Sequence, residues 1–461
     1  MNAGGDGVAR HGRQVIVVPF TIPGEQVRAS VRRLREGSYV GVVEEILRQS
    51  PHRVAPRCPH FGFTGPAEAG HYDRRGCGGC TWQHIAYPEQ LRLKSELVTR
   101  LLREAVPQAP AALPTSTAAQ IDSPWGYRQK VHFVFGPGPR GSLAMGHYAR
   151  GTRRVIPVRA CPVHDERGNA LAFGFRDALD SVARTSPKPR GDGSGPRDRV
   201  MKGLAVRVAA STPEVMATLI LTGPADGRLR NVTRQVFDKD GATTSVHVNL
   251  HPRGDAYIFG RDTRRVAGAD RLREEVAGLS FLISPTAFFQ TNVRAADILV
   301  RLVVDAVPQA STVLDLYAGT GLFALPLARA GRRVMAVEES RDAVQDGEAS
   351  RRLNGISADQ CQFVARRVED ALHRLRQRLF DVVIVDPPRA GCSAQVITGV
   401  FSGLKPPLAV YISCNPEALA RDSREIARRG YEIASVQPLD MFPHTAHVET
   451  VAVLRRRRTI E

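Results

Sequence analysis

Cys414 follows the apolar run Val410–Ser413 and precedes Asn415 and Pro416, after which the helix-like "EALARD" begins. The run is β-prone, and Pro416 stops a strand while suiting the first turn of a helix. The spacing therefore places a thiol at the carboxyl tip of a strand, where open α/β sheets hold their ligands. The amides of an incipient helix there are expected to stabilise a thiolate. Glu449 opens the apolar strand "ETVAVL", shortly after His444 and His447. A carboxylate beside a nucleophilic thiol can remove a proton from whatever the thiol attacks. The two histidines are the second choice for that task, or they are hydrogen-bonding scaffold. Asp386 ends the apolar run "VIV", and Pro387 and Pro388 stiffen the chain beyond it. Each residue also has a plain reading: a structural cysteine, a solvent-facing strand Glu and a turn-forming Asp-Pro pair. Cys392 reads as an ordinary small side chain.

These residues need a scaffold, and the last part of the chain supplies one. "TVLDLYAGTGLFALPLARAG" reads as strand, glycine turn and helix, with Asp315 near the strand end and Gly319 and Gly321 in the turn. Glu338 ends the next strand, "RVMAVE", 23 residues after Asp315. That is about where dinucleotide-type folds place the acid that binds ribose hydroxyls. The turn lacks the third glycine of the pyrophosphate fingerprint, which favours S-adenosylmethionine over NAD. "FDVVIVDPPRAG", "LAVYISCNP" and "ETVAVL" are further strands, so from about residue 276 the pattern is that of a doubly wound sheet.

The composition narrows the partners. The formal net charge is +18, and only six of the 64 basic residues are Lys. A bias toward Arg does not create an excess of base over acid, so the charge favours a polyanion, most simply nucleic acid. No run of eighteen apolar residues suggests a membrane span, and no secretory signal is visible, so a cytoplasmic protein is expected. The seven cysteines, an odd number, argue for metal binding or catalysis rather than a disulfide framework.

Three units are expected. Residues 1–57 carry "QVIVVPF" and "QVRASVRRL" joined by "TIPGE", with nine Arg against five acids. An oligonucleotide-binding barrel fits that pattern, although the glycine-rich start leaves little room for a first strand. Residues 58–275 hold three clustered cysteines, a helix over about 88–106, the linker "QAPAALPTSTAAQ" and β-rich pieces such as "KVHFVFG" and "EVMATLILTG". Residues 184–199 read as a disordered loop. Residues 276–461 form the doubly wound unit.

The candidate residues suit one reaction. Methylating C5 of a pyrimidine requires breaking the ring's aromatic character. A thiolate adding to C6 makes C5 nucleophilic toward a sulfonium methyl group, and a base must then take the C5 proton. "FLISPTAFFQTN", "DLYAGTG", "DPPRAG", "YISCNP" and "FPHTAHVE", in that order, resemble the bacterial RNA (uracil-5-)methyltransferases of the 23S rRNA and tRNA type. The resemblance implies a Rossmann-like class I methyltransferase domain, an N-terminal barrel of the OB-like TRAM type and a β-rich central domain. It implies Cys414 as nucleophile and Glu449 as proton acceptor. It implies Gln290, Tyr317, Glu338 and Asp386 as contacts of S-adenosyl-L-methionine. Ala318 stands where the family often has cysteine. The family also has a further strand before "GGDGVAR", which implies a truncated or misassigned start.

"CPHFG…CGGCTWQH" and "VRACPVH" resemble the iron–sulfur site of the rRNA-type members. Cys58, Cys77, Cys80 and Cys161 would be thiolate ligands of a [4Fe-4S] cluster; by ligand chemistry alone they can also hold zinc. The family has five residues between the first two ligands, whereas 18 intervene here, an excess of 13. Arg128, Lys130, Arg150, Arg153 and Arg154 are candidate phosphate contacts. Trp125 is a core or base-stacking residue, and Phe133 a core residue. The cysteines point to 23S rRNA as substrate, with tRNA or an RNA cytosine as alternatives. An RNA-binding iron–sulfur protein without methyl transfer is the reading from another class. A monomer that flips its target base is expected.

Overall fold

The structure, a computed structural model, describes residues 1–34, 36–62, 76–118, 123–185, 201–225, 227–240, 243–252 and 258–457. The 13 residues that lengthen the first cysteine spacing (63–75) and most of the expected loop (186–200) lie outside these. The helix before that loop runs Glu166–Thr185.

Four strands come first: β1 (Gly7–His11), β2 (Gln14–Val18), β3 (Gln26–Arg33) and β4 (Tyr39–Arg48). They form a sheet in the order β1-β2-β4-β3. The glycine-rich start does hold a strand, because β1 turns at Gly12 (φ 57°) and pairs tightly with β2. β2 and β3 are consecutive but not partners; β4 lies between them, parallel to β2. Ile16, Val18, Phe20, Val43 and Phe61 form the small core beneath.

The helix Tyr87–Ala105 follows, then β5 (Ser116–Thr117). β5 lies in the stretch expected to be only a linker. It pairs with a strand of the last sheet, opposite Leu439 and Asp440. The central sheet comprises β6 (Lys130–Pro137), β7 (Leu143–Tyr148), β8 (Val155–Pro157), β9 (Met201–Val208), β10 (Val215–Leu221), β11 (Ser245–Leu250) and β12 (Asp262–Gly268). Its order is β12-β11-β10-β9-β6-β7-β8. Phe133, fully buried, sits in its core with Phe175, Leu204 and Leu219. The hairpin β13 (Leu272–Val276) and β14 (Leu279–Ile283) packs into the core of the last sheet.

That last sheet holds β15 (Thr312–Leu316), β16 (Arg333–Glu338), β17 (Cys361–Ala365), β18 (Val382–Val385), β19 (Leu408–Ser413), β20 (Tyr431–Asp440) and β21 (Glu449–Arg456). The order is β17-β16-β15-β18-β19-β21-β20-β5. β15 to β19 run parallel, and β21 is antiparallel to both β19 and β20. The central strands β15, β18 and β19 are buried on both faces, which explains their near-continuous Val, Ile and Leu content. The chain leaves β15 toward β16 on one side and reaches β18 on the other. The crevice at the carboxyl ends of β15 and β18 is therefore the topological switch point where such sheets bind ligands. Among the described residues no helix is long and apolar enough to cross a membrane.

Candidate active site

β19 ends in Ser413, whose Oγ accepts from the Asn415 amide at 3.1 Å. Asn415 caps the helix Pro416–Ala427 by accepting from the amides of Glu417 and Ala418. Between them Cys414 is half-buried. The last pair of the β19–β21 ladder joins Ser413 and Thr450. Just past this last pair Cys414 comes within reach of the charge of Glu449, which is 3% exposed.

Asp386 follows β18, the other neighbour of β19, so Cys414 lies between two carboxylates. Burial first, and then the charges of Glu449 and Asp386, push the Cys414 thiol up to about 11; Arg389 opposes them. The sequence led us to expect helix amides to favour a thiolate. The structure shows the reverse balance: desolvation and two carboxylates outweigh the helix end. Burial raises Asp386 to about 7. Burial and Asp386 hold Glu449 well above the ordinary carboxylate range, with Arg389 opposing.

The glycine turn lies beside these groups. Tyr317 and Gly319 adopt left-handed backbone (φ 63° and 56°). Gly321, at φ 87°, could not carry a Cβ, which would stand 2.7 Å from Phe363 Cζ. Glu338, at the end of β16, accepts from the Gly319 amide at 3.0 Å and the Ser340 amide at 2.8 Å. That fixes the turn and leaves the carboxylate at the crevice. Asp315 is fully buried, with the Ala324 amide as the backbone group facing its carboxyl. Burial, then Asp386, raises its pKa well above the ordinary range. A buried acid behind a glycine turn and an acid at the next strand end fit the polar nucleoside half of S-adenosylmethionine. Gln290 is buried just before the helix Val293–Ala306.

Residues not singled out from the sequence hold these loops together. Asn415 Nδ2 donates to Arg389 O at 2.9 Å, tying the Asp386 loop to the cysteine loop. Asp422, almost fully buried, accepts from the Cys392 amide at 2.7 Å and the Tyr411 hydroxyl at 2.6 Å. Arg389 was visible within "DPPRAG"; Asp422 gave no signal, being one of several charges on an amphipathic helix. His444 and His447 are lowered to about 3 and about 4, mainly by burial, and so are neutral. The His444 ring stacks on Trp125 at 3.8 Å between centroids, a scaffolding arrangement.

The other four cysteines gather elsewhere. Cys58, Cys77, Cys80 and Cys161 line one cavity together with Arg128, His60 and His147. All are free thiols, and burial raises the pKa of each. Among the described residues no group of three or more His, Cys, Asp or Glu side chains converges as a ligand set for a metal ion. Of the expected phosphate contacts, Arg128 faces this cavity. Lys130 Nζ turns inward to Ala287 O at 3.4 Å, and Arg150 pairs with Asp6 at 2.9 Å. Arg153 and Arg154 are exposed. Lys130 and Arg150 are drawn inward by partners far away in sequence.

Comparison with known proteins agrees with this geometry. The tRNA (Uracil-5-)-methyltransferase family matches residues 269–457. An uncharacterized RNA methyltransferase of Gloeobacter violaceus is 36% identical, covering 98% of this chain and 94% of its own. Another, of Thermosynechococcus vestitus, is 34% identical over 98% of this chain and 95% of its own. The crystal structure of the Pyrococcus abyssi tRNA (uracil-54, C5)-methyltransferase with S-adenosyl-L-homocysteine superimposes with a TM-score of 0.74 at 25% identity. It covers 98% of this chain and 97% of that one. With an α/β methyltransferase fold and this crevice, the chain belongs to the RNA uracil-5-methyltransferase family and is an S-adenosylmethionine-dependent RNA methyltransferase.

Proposed function

We propose that this enzyme methylates C5 of a uridine in 23S rRNA through a transient bond between Cys414 and C6. The closeness of Cys414 to Glu449, just past the end of the β19–β21 ladder, where the Glu449 charge acts on the thiol, carries the reading. S-adenosylmethionine supplies an electrophilic methyl group on a positively charged sulfur. Gln290, Tyr317, Glu338 and Asp386 would hold it. The Cys414 thiolate adds to C6, and the C5–C6 π electrons become available at C5, which attacks the methyl group; the sulfonium S–CH3 bond breaks and its electron pair leaves on S-adenosylhomocysteine. Glu449 then removes the C5 proton, the electron pair re-forms the C5–C6 double bond, and the C6–S bond breaks to return the thiolate. The target base must leave its stack to admit a thiol on one side.

The four-cysteine cavity supports the rRNA-type reading and a [4Fe-4S] cluster held by Cys58, Cys77, Cys80 and Cys161. The four thiols share this cavity with Arg128 without converging on one ion position, so a group of several metal atoms spanning them is the reading they support; the methyl transfer itself needs no electron. The N-terminal sheet supports a TRAM-type RNA-binding module, and an enzyme acting as a monomer in the cytoplasm is the simplest reading. RNA from cells lacking the protein tests the substrate. Loss of one 5-methyluridine from 23S rRNA is expected; loss from tRNA alone would overturn that assignment and favour the tRNA reading.

A further inference from the structure

The connection between β20 and β21, residues 441–448, leads directly into Glu449. It has little structure of its own and is held from outside. The Thr81 and Trp82 amides, immediately after Cys80, both donate to His444 O, at 3.0 and 2.9 Å. Gln90, fully buried, accepts from the His444 amide at 2.9 Å. Its Nε2 donates to Trp82 O at 3.1 Å and Ile85 O at 2.8 Å, and lies 3.3 Å from His444 Nδ1. These bonds hold His444 at φ 64°, a conformation uncommon for a residue with a side chain.

The other cysteine segments reach the same connection. Trp125 stacks on the His444 ring, and the guanidinium of Arg57, next to Cys58, lies 5.2 Å from the Trp125 ring centre. Arg128, which lines the cysteine cavity, lies 6.0 Å from the ring centre of Phe442. Cys58 is tied to the segment after Cys80, since its amide donates to Gln83 Oε1 at 3.0 Å. Residues adjacent to two of the four thiols, and a cation lining their cavity, thus all bear on 441–448.

We infer that the four-cysteine site acts as a positioning device for the loop that delivers Glu449, with Gln90 and the Thr81–Trp82 amides as the coupling. This rests on the reading that the cysteines hold a metal group. A bound group pins Cys58 and Cys80, hence Arg57 and the Thr81–Trp82 peptide, hence the turn at His444. Without it the connection can open locally while the rest of the sheet stays closed. Removal of the C5 proton suffers most, because Glu449 is the first residue after the loop, whereas Cys414 is fixed by β19 and its own helix cap.

The test uses the anaerobically purified full chain, before and after metal removal with ferricyanide and EDTA, and a Gln90→Leu variant that keeps its metal. Amide exchange in residues 441–448 should rise about tenfold in both altered proteins, with β15 unchanged. Incubated with S-adenosylmethionine and ordinary uridine-containing RNA, both should accumulate a covalent protein–RNA adduct that the untreated enzyme releases. Equal exchange in 441–448 with and without metal, or slowed turnover with no accumulated adduct, overturns the coupling alone. Wild-type protein that binds no metal overturns the cluster reading and the coupling with it. An untreated enzyme that forms no adduct with 5-fluorouridine RNA instead overturns the covalent mechanism.

Discussion

Cys414 and Glu449 lie at the end of the β19–β21 ladder, whose last pair is Ser413–Thr450, close enough that the Glu449 charge raises the pKa of the Cys414 thiol. The ends of two paired strands therefore bring nucleophile and base together. A flexible loop could not fix two groups on one ring as well as two paired strands can.

Glu449→Gln keeps the shape and removes the base. Turnover should fall by roughly 10²–10⁴-fold. Ordinary RNA should then trap the enzyme as a covalent adduct, seen as a band of retarded mobility on denaturing gels. Turnover within a few-fold of the parent would show that another group takes the proton.

The same substitution should change the thiol. In the free enzyme, alkylation of Cys414 by iodoacetamide should rise with pH toward a midpoint near 11. With the Glu449 charge gone the midpoint should move down toward the ordinary thiol value. A midpoint below 9 in the parent enzyme would contradict the electrostatics described for the site.

Asp386 binds its proton more tightly folded, near pH 7, than unfolded, near the ordinary carboxylate value. The folded state thus holds a proton that the unfolded state has lost between about pH 4 and 7, and Asp386 makes the fold less stable as pH rises through that window. Asp386→Asn should abolish this loss, raising Tm at pH 8 by about 2 °C or more while cutting methyl transfer. An equal or lower Tm at pH 8 would argue against a desolvated carboxyl there.

Lys94 and Asp440 form a fully buried ion pair at 2.6 Å, and Asp440 also accepts from the Tyr87 hydroxyl at 2.9 Å. Lys94→Met leaves that carboxylate without its cation and should cost about 3–5 kcal/mol. The double variant with Asp440→Leu should recover part of the loss. Denaturant titration measures both; a Lys94→Met protein as stable as its parent would contradict the pairing.

Much of the site was legible because glycine turns, Asp-Pro-Pro and Cys-Asn-Pro mark the ends of buried parallel strands, which read as runs of Val and Ile. β20 was not legible: Glu432, Gln437 and Pro438 break the apolar pattern of an outer strand. β5 was hidden in a Pro/Ala-rich stretch because its two residues become a strand only by pairing with β20. Gln90 and Lys94 resembled the solvated side of an amphipathic helix. Their partners, His444 and Asp440, lie about 350 residues away, and only the fold brings them together. The same holds for Lys130 and Arg150, whose charge alone suggested phosphate contacts.

The covalent bond to Cys414 is tested most directly with RNA in which the target uridine is 5-fluorouridine, since fluorine at C5 leaves no proton for Glu449 to remove. Mass spectrometry of the wild-type enzyme with this RNA and S-adenosylmethionine should show a methylated protein–RNA adduct attached to the peptide containing Cys414, and Cys414→Ala should show none. An adduct of equal yield in Cys414→Ala, or one mapped to another residue, would contradict the account.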